Sequence, residues 1–506
     1  EGFTSIFDGQ SLDGWDGDPK LWSVEEGAIT GKTSDEDPIQ INQFLIWRQG
    51  ELDDFELKLE YRLVGGNSGI QYRSWEEPDN WGKWVVGGYQ ADFEAGDKYS
   101  GILYGERFRG ILALRGQKTV LRPGPDPSKV AVEVVETFGD TEKLQAHVKS
   151  EDWNEYRIVA EGFHFTHYIN GQKMSECTDE DTANRRRGGI LAFQVHRGPA
   201  MKVQFRNVRL KRLPLGETKK VVLLAGPKSH GYGAHEHNAG CLLLAKYLNQ
   251  CVPGVHAVVY RDGWPADPTA LDNADAVVVF CDGGGRHPLM GHLEQIDRLS
   301  KKGVGVACLH YGVEVPKGEP GNYFLQWIGG YFETDWSVNP HFEAAFTELP
   351  QHPITRGVKP FVIEDEWYYH MRFRPQMQGV TPVLTTVPPD STRERPDGTH
   401  SNNPTVRAGR GMPEHVAWAS ETPGRGRGFG FTGGHWHWNW ANDSFRKVVL
   451  NGIVWTAGLD VPAEGIVSPT PTMEELEANQ DYPPGTDKKN PFDRQKWVDL
   501  LQQWKR

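Results

Sequence analysis

The chain has 506 residues, more than one ordinary hydrophobic core organises, so its length predicts two to four domains. Its formal net charge of -13 argues against nucleic acid as a partner, because phosphate binding needs a concentrated cationic face and the only tight basic run is Arg185-Arg186-Arg187. No apolar stretch approaches the roughly 20 residues that span a bilayer, so no membrane span is expected.

From Phe3 to about Leu213 the pattern is short strands with period-two alternation between glycine and aspartate turns. In Phe55 to Leu63 the residues Phe55, Leu57, Leu59, Tyr61 and Leu63 share one face, and Glu56, Lys58, Glu60 and Arg62 the other. Similar strands recur at 69–74, 89–94, 155–161, 165–170, 189–196 and 202–209. This half therefore reads as an all-β sandwich or jelly roll. If its strands are neighbours, Glu60, Gln71, Arg73, Gln90, Asp92, Gln194 and His196 form one polar face, with Trp75, Trp81 and Trp84 in the adjoining loop. Such a face suits a sugar: amides and Arg hold its oxygens, a tryptophan ring matches its C–H face, and His or a carboxylate moves a proton. The plain alternative is the solvated side of a sandwich.

Residues 213–219 break the alternation and read as a linker. Beyond them, apolar strands at 221–225, 256–260, 274–280 and 303–309 alternate with helical stretches such as 239–248 and 289–301, which predicts an α/β domain over 220–458 with a parallel sheet. Ligands in such sheets bind beyond the carboxyl ends of the strands. His230, His235, Glu236, His237, Asp282, His287 and His310 all fall there. His310 occupies an elbow, Cys308-Leu-His310-Tyr-Gly312, of the kind that exposes a nucleophile. The cysteine stands two places too early to be that nucleophile, so metal ligation or acid/base work is favoured over thiol chemistry, with a packed strand-end histidine as the alternative. The domain is expected to close with Gly434-His435 and a helix over 443–456. Residues 459–506 read as an extended, exposed tail with a short amphipathic helix near the C-terminus, whose apolar side, Phe492, Trp497, Leu500, Leu501 and Trp504, is expected to dock on one of the domains rather than on a partner. The five cysteines, at 177, 241, 251, 281 and 308, form no C-x-x-C pair and read as free thiols.

Two resemblances add to this. Phe3-Thr-Ser-Ile-Phe-Asp-Gly9, Trp22-Ser-Val-Glu-Glu-Gly27, Gly66-Asn-Ser-Gly69-Ile, Gly88-Tyr-Gln90-Ala-Asp92 and Gly189-Ile-Leu-Ala-Phe-Gln194-Val-His196 resemble the 3-keto-disaccharide hydrolase domain over 1–212. The resemblance implies a concanavalin A-like jelly roll acting on a glycoside already oxidised to a ketone at carbon 3. Such a ketone acidifies the hydrogen on carbon 2, so one base and an oxyanion stabiliser suffice for elimination, followed by hydration. Glu60, Asp92 or His196 is then the base and Arg73 the oxyanion holder. Gln71, Gln90, Gln194 and Trp84 bind substrate. A partner oxidoreductase that makes the ketone is implied as well.

The second half, at His235-Glu236, Gly-Gly-Arg-His287, Leu309-His310-Tyr-Gly312, Asp365-Glu366-Trp-Tyr368 and Gly434-His435, resembles the trehalose-utilisation (ThuA-like) family, related to the flavodoxin-like class I glutamine amidotransferase fold. Pro388 to Pro413 departs from that pattern and reads as a long surface loop. His235, His310, Glu366 and His435 are suitable ligands for Zn²⁺ or Mn²⁺, with Trp436 and Trp438 as a sugar platform beside them. A metal-free acid/base site and a domain that only binds remain alternatives. The whole reads as an enzyme cleaving or rearranging 3-keto-glycosides, extracytoplasmic because the sequence opens at Glu1 as a processed protein would, with no nucleotide cofactor. The other reading is a non-catalytic carbohydrate-binding sandwich serving the second domain, or a surface lectin.

Overall fold

Along Phe55–Val64 every second side chain is buried, and Leu57, Leu59 and Tyr61 meet Ile70, Phe93 and Phe193 of another sheet in one core. The alternating face is thus the inner face of a sandwich. The computed structural model describes residues 2–126, 129–486 and 492–504. By its contacts the chain divides into two units, Glu1–Gly216 with Ala266–Asn273, and Glu217–Pro265 with Ala274–Arg506.

The first unit is all β, a ten-stranded sheet against a seven-stranded one. Tyr61 and Phe93 pack with ring centroids 4.0 Å apart, and Phe193 stacks on Phe205 at 4.0 Å, closing the core between the sheets. The seven-stranded sheet runs Gly110–Ala113, Leu103–Glu106, Val86–Glu94, Asn67–Glu76, Ile190–Val195, Gln43–Trp47 and Trp15–Asp16. The excursion Ala266–Asn273, unforeseen in the sequence, belongs to this unit for an electrostatic reason. Buried Arg212 donates to Asp267 at 2.7 Å, to Thr269 at 2.9 Å and to Asp53 at 3.1 Å, which neutralises charges that burial would otherwise penalise.

The second unit has a seven-stranded sheet in the order Val255–Tyr260, Lys219–Ala225, Ala276–Phe280, Gly305–Leu309, Gly428–Phe431, Glu414–Ser420 and Val380–Thr386. Its first five strands are parallel, and Glu414–Ser420 pairs antiparallel with both of its neighbours. The helices His237–Cys251, Leu293–Lys301 and Asp443–Thr456 accompany it. A separate hairpin pairs His341–Phe346 with Phe361–Glu366.

Two expectations are corrected. The segment after Gly458 is not an exposed tail, because Val461, Ile466, Met473 and Leu476 are buried in the core of the second unit, whereas the helix Arg494–Trp504 docks as expected, with Leu501 in that core. The stretch Pro388–Pro413 is no plain surface loop either. It contains two short helices and is tied down by buried Thr392, Arg393, Asn402 and Val406.

Candidate functional site

On the seven-stranded sheet, alternation turns Tyr89, Ala91 and Phe93 into the core and Gln90 and Asp92 to the opposite face. Gln71 and Gln194 project beside them from flanking strands. Their amides form a directed chain: Ser74 donates to Gln71 Oε1 at 2.7 Å, Gln71 Nε2 to Gln90 Oε1 at 2.7 Å, and Gln90 Nε2 to Asp92 Oδ1 at 3.2 Å. Gln194 Nε2 also donates to Gln90 Oε1, at 3.2 Å. Asp92 is the acidic end of this chain, and it opens on a cavity of about 580 Å³ whose walls include Asn42, Asn67, Tyr104, Glu106, Arg107, His196 and Arg197.

Burial pushes the Asp92 carboxyl up to about 8, helped by the charges of Glu94 and Glu106 and opposed by hydrogen bonds from Asn67 and Gln90. Burial likewise raises Glu106 and lowers His196. A carboxylate poised near neutral pH at the wall of a polar cavity is suited to moving a proton. Glu106 and Asn42 were not singled out from the sequence, because they lie in a short strand and in a loop where periodicity carries no signal.

Two of the residues assigned to this face from the sequence are elsewhere. Glu60 belongs to the ten-stranded sheet, paired with Arg206 at 2.6 Å and Asn207 at 3.0 Å, since alternation fixes the face of a strand but not its sheet. Arg73 sits at φ 47° in a bulge of Asn67–Glu76, where the register slips between Tyr72 and Trp75. The bulge turns its guanidinium inward, fully buried, onto the carbonyls of Asp53 (2.8 Å) and Gly162 (2.6 Å) and the carboxylate of Asp54 (2.8 Å). It cannot hold a substrate oxygen. Arg107 and Arg197 are the cations that line the cavity. Trp84 packs beside Phe44, Ile46, Val86 and Ala192 and donates to Asp16 at 2.8 Å.

In the second unit His235, His310, Glu366 and His435 converge, one ligand-type atom from each lying within 4.8 Å of all the others. His310 follows the strand Gly305–Leu309 at φ 51°, and His235 also sits at φ 51°. Two non-glycine residues in the left-handed region at one site mark a backbone held against its own preference. The elbow is pinned by buried His287, which lies 3.0 Å from the Gly312 carbonyl through Nε2 and accepts from the Leu289 amide at 3.2 Å. His235 Nδ1 meets Asp282 at 2.9 Å and His310 Nδ1 meets the Thr432 carbonyl at 2.7 Å, so both rings turn Nε2 inward, 3.1 Å apart. His435 Nδ1 is 2.9 Å from His235 Nε2 and 3.0 Å from Glu366 Oε2. The Tyr368 hydroxyl stands 3.2 Å from His310 Nε2 and 3.3 Å from Glu366 Oε2.

Asp365, fully buried, holds the arrangement from behind: it accepts from the amides of Gly434 (2.8 Å) and His435 (3.0 Å) and from the Asn439 side chain (3.0 Å). Burial raises Glu366, but the imidazoles of His235, His310 and His435 around it outweigh that and hold the carboxyl well below its usual range. Burial disfavours charge on His235, yet Asp282 and Glu366 raise its pKa on balance, while burial takes His435 down to about 3. With both Nδ1–H groups committed outward, neutral His235 and His310 would face lone pair to lone pair, which requires a proton or a cation between them. The donor set fits a cation: three imidazole nitrogens and one carboxylate oxygen stand 2.9 to 3.8 Å apart where measured, close to the roughly 3.3 Å edge of a tetrahedron with bonds of about 2.0 Å. Outward Nδ1 partners are also the usual support of metal-binding histidines. Trp436 lies beside His435, ring centroids 4.5 Å apart, but Trp438 is buried against Phe492 and Trp497 and is no platform, because the C-terminal helix covers it.

The fold and these two centres define a class: an all-β sandwich of jelly-roll type carrying a carboxylate-walled cavity, followed by an α/β domain whose elbow bears imidazole. Residues 2–211 match the family model described as 3-keto-alpha-glucoside-1,2-lyase-like domain, and residues 227–456 match the one described as trehalose utilisation. Its function is carbohydrate-related. Among solved structures, a glycosyl hydrolase-like protein from Parabacteroides distasonis is 16% identical over 42% of this chain and 100% of its own, with a TM-score of 0.29. A ThuA-like protein from Parabacteroides merdae is 14% identical over 51% of this chain and 99% of its own, with a TM-score of 0.34. A carbohydrate-binding module from Bacillus subtilis is 16% identical over 39% of this chain and 95% of its own, with a TM-score of 0.25. No curated protein matches the chain in sequence.

Proposed function

We propose that this chain cleaves 3-keto-glycosides by abstracting the proton on carbon 2, expelling the glycosidic oxygen and adding water. The observation that carries the proposal is Asp92, a buried carboxyl raised to about 8 at the wall of the sandwich cavity. Its carboxylate form takes the proton from carbon 2, whose acidity the neighbouring ketone supplies. The C–H electrons move toward the carbon 3 oxygen, where Arg107 or Arg197 balances the developing charge. Collapse of that charge forms a double bond between carbons 1 and 2 as the bond from carbon 1 to the glycosidic oxygen breaks, and Glu106 or His196 delivers a proton to the leaving oxygen. Water then adds to carbon 1 and a proton returns to carbon 2. The Gln71 to Gln90 chain fixes Asp92 Oδ1 as an acceptor, which leaves Oδ2 to exchange the proton.

In the second domain His235, His310, Glu366 and His435 would hold a divalent cation, Zn²⁺ or Mn²⁺ by their donor chemistry, which supplies Lewis acidity toward a sugar carbonyl. Tyr368 and His341 stand at that centre as groups able to bind or protonate sugar oxygens. The ketone itself must come from a separate oxidation at carbon 3. The test is sugar release from 3-keto-trehalose and from trehalose: the proposal expects release from the keto substrate alone, and equal release from both would refute it.

A further inference from the structure

The stretch that departs from the family pattern, Pro388–Pro413, supplies a feature that the cleavage chemistry does not use. Beside the histidine centre lies a cleft of about 370 Å³, within the size range of small-ligand sites, with Glu366 in its wall next to Asn339, His341, Ser391 and Arg395. Arg395 comes from that stretch. Its guanidinium donates through Nη2 to Asn339 Oδ1 at 3.4 Å, a long contact, while Nη1 is buried without any hydrogen-bond partner. Among the described residues no carboxylate pairs with it. A guanidinium at a cleft wall that meets no protein carboxylate is a group that the acid of a ligand can complete.

The backbone that carries Arg395 is held in place. Buried Asn402 donates to the carbonyls of Arg393 and Arg395, both at 2.7 Å, and Arg393 is itself tied to the Val406 carbonyl at 2.9 Å and to Glu414 at 3.2 Å. Asn339, the one hydrogen-bond partner of the Arg395 side chain among the described residues, donates to Glu366 Oε1 at 3.0 Å, so Arg395 and the histidine centre share a wall. His341 adds a second donor at the rim, its ring 4.7 Å from His435.

We infer that this cleft binds a sugar acid, with the carboxylate on Arg395 and a sugar oxygen turned toward Glu366 and the histidines. A guanidinium fork matches the two oxygens of a carboxylate. One guanidinium carries a single positive charge, which matches a carboxylate monoanion more closely than a phosphate dianion. The inference rests on the reading that this cleft is the substrate site of the second domain, but it requires neither a ketone nor turnover.

The test is calorimetric titration of the full chain, with and without added Zn²⁺, with D-glucuronate, D-glucose and D-glucose 6-phosphate, for the native protein, Arg395→Gln and Arg395→Lys. Glucuronate should bind about tenfold or more tighter than glucose, in keeping with a charge-assisted pair. Arg395→Gln should erase the preference, and Arg395→Lys should keep part of it. Equal binding of glucose and glucuronate, or a preference that survives Arg395→Gln, would overturn the assignment. Tightest binding of glucose 6-phosphate would overturn the choice of a carboxylate. Failure of keto-sugar cleavage leaves every one of these readings intact, so the two proposals fail separately.

Discussion

The sandwich cavity and the histidine centre handle buried charge in opposite ways. In the cavity an acid is stripped of water: burial, with the charges of Glu94 and Glu106, pushes Asp92 up to about 8, so it holds a proton that it can exchange. In the second unit a carboxylate is surrounded by donors: His235, His310 and His435 all reach Glu366, which stays ionised, and the imidazole lone pairs converge. The first arrangement suits proton transfer and the second suits holding a cation. Each follows from what surrounds the acid and not from the acid itself.

The contrast can be broken at its supports, and the largest expected effect belongs to Arg73. If it is structural, Arg73→Gln should cost on the order of 3 kcal/mol by stranding Asp54. Chemical denaturation reads that loss, while cavity binding in the folded variant is unchanged. A stable variant with weakened sugar binding would return Arg73 to the site. Next comes Asp282, the outward partner of His235. Asp282→Asn should weaken metal affinity about 10- to 100-fold, the usual range for such supporting groups, as read by metal titration. An unchanged affinity would mean that His235 is not oriented through Asp282.

The smallest effect is the pH dependence of stability. Asp92 has a folded pKa raised from the ordinary 3.8 to about 8. The unfolded chain releases that proton first as pH rises, so the contribution is fully present below about 3.8 and is lost between there and about 8. Asp92→Asn should therefore gain stability relative to the native chain at pH 9, and little or nothing at pH 4. A difference independent of pH would show that the carboxyl titrates normally.

Much of this was legible in the sequence, and the errors have physical causes. Period-two alternation put Gln71, Gln90, Asp92 and Gln194 on one face, because a pleated strand leaves no other choice. It misplaced Arg73 because a bulge shifts the phase by one residue without any mark that alternation can register. It misplaced Glu60 because pairing partners decide the sheet, and those are not written in the strand itself. The four converging residues were found as polar groups at strand ends, with the family resemblance bringing Glu366 and His435 into the set. Asp365, quoted for the same resemblance, was passed over as a support of that loop because its role is made of backbone amides. Trp438 was misread because the segment that buries it arrives from some 50 residues downstream.

The central claim is that Asp92 exchanges the proton on carbon 2 of a 3-keto-glycoside. The most direct measurement is NMR of 3-keto-trehalose in heavy water with the native protein and with Asp92→Asn. The account predicts deuterium on carbon 2 of the released keto sugar, with a rate that rises with pH toward a plateau above about 8, and a fall of about 10²- to 10⁴-fold in Asp92→Asn. Sugar release without deuterium on carbon 2, or an undiminished rate in Asp92→Asn, would contradict it.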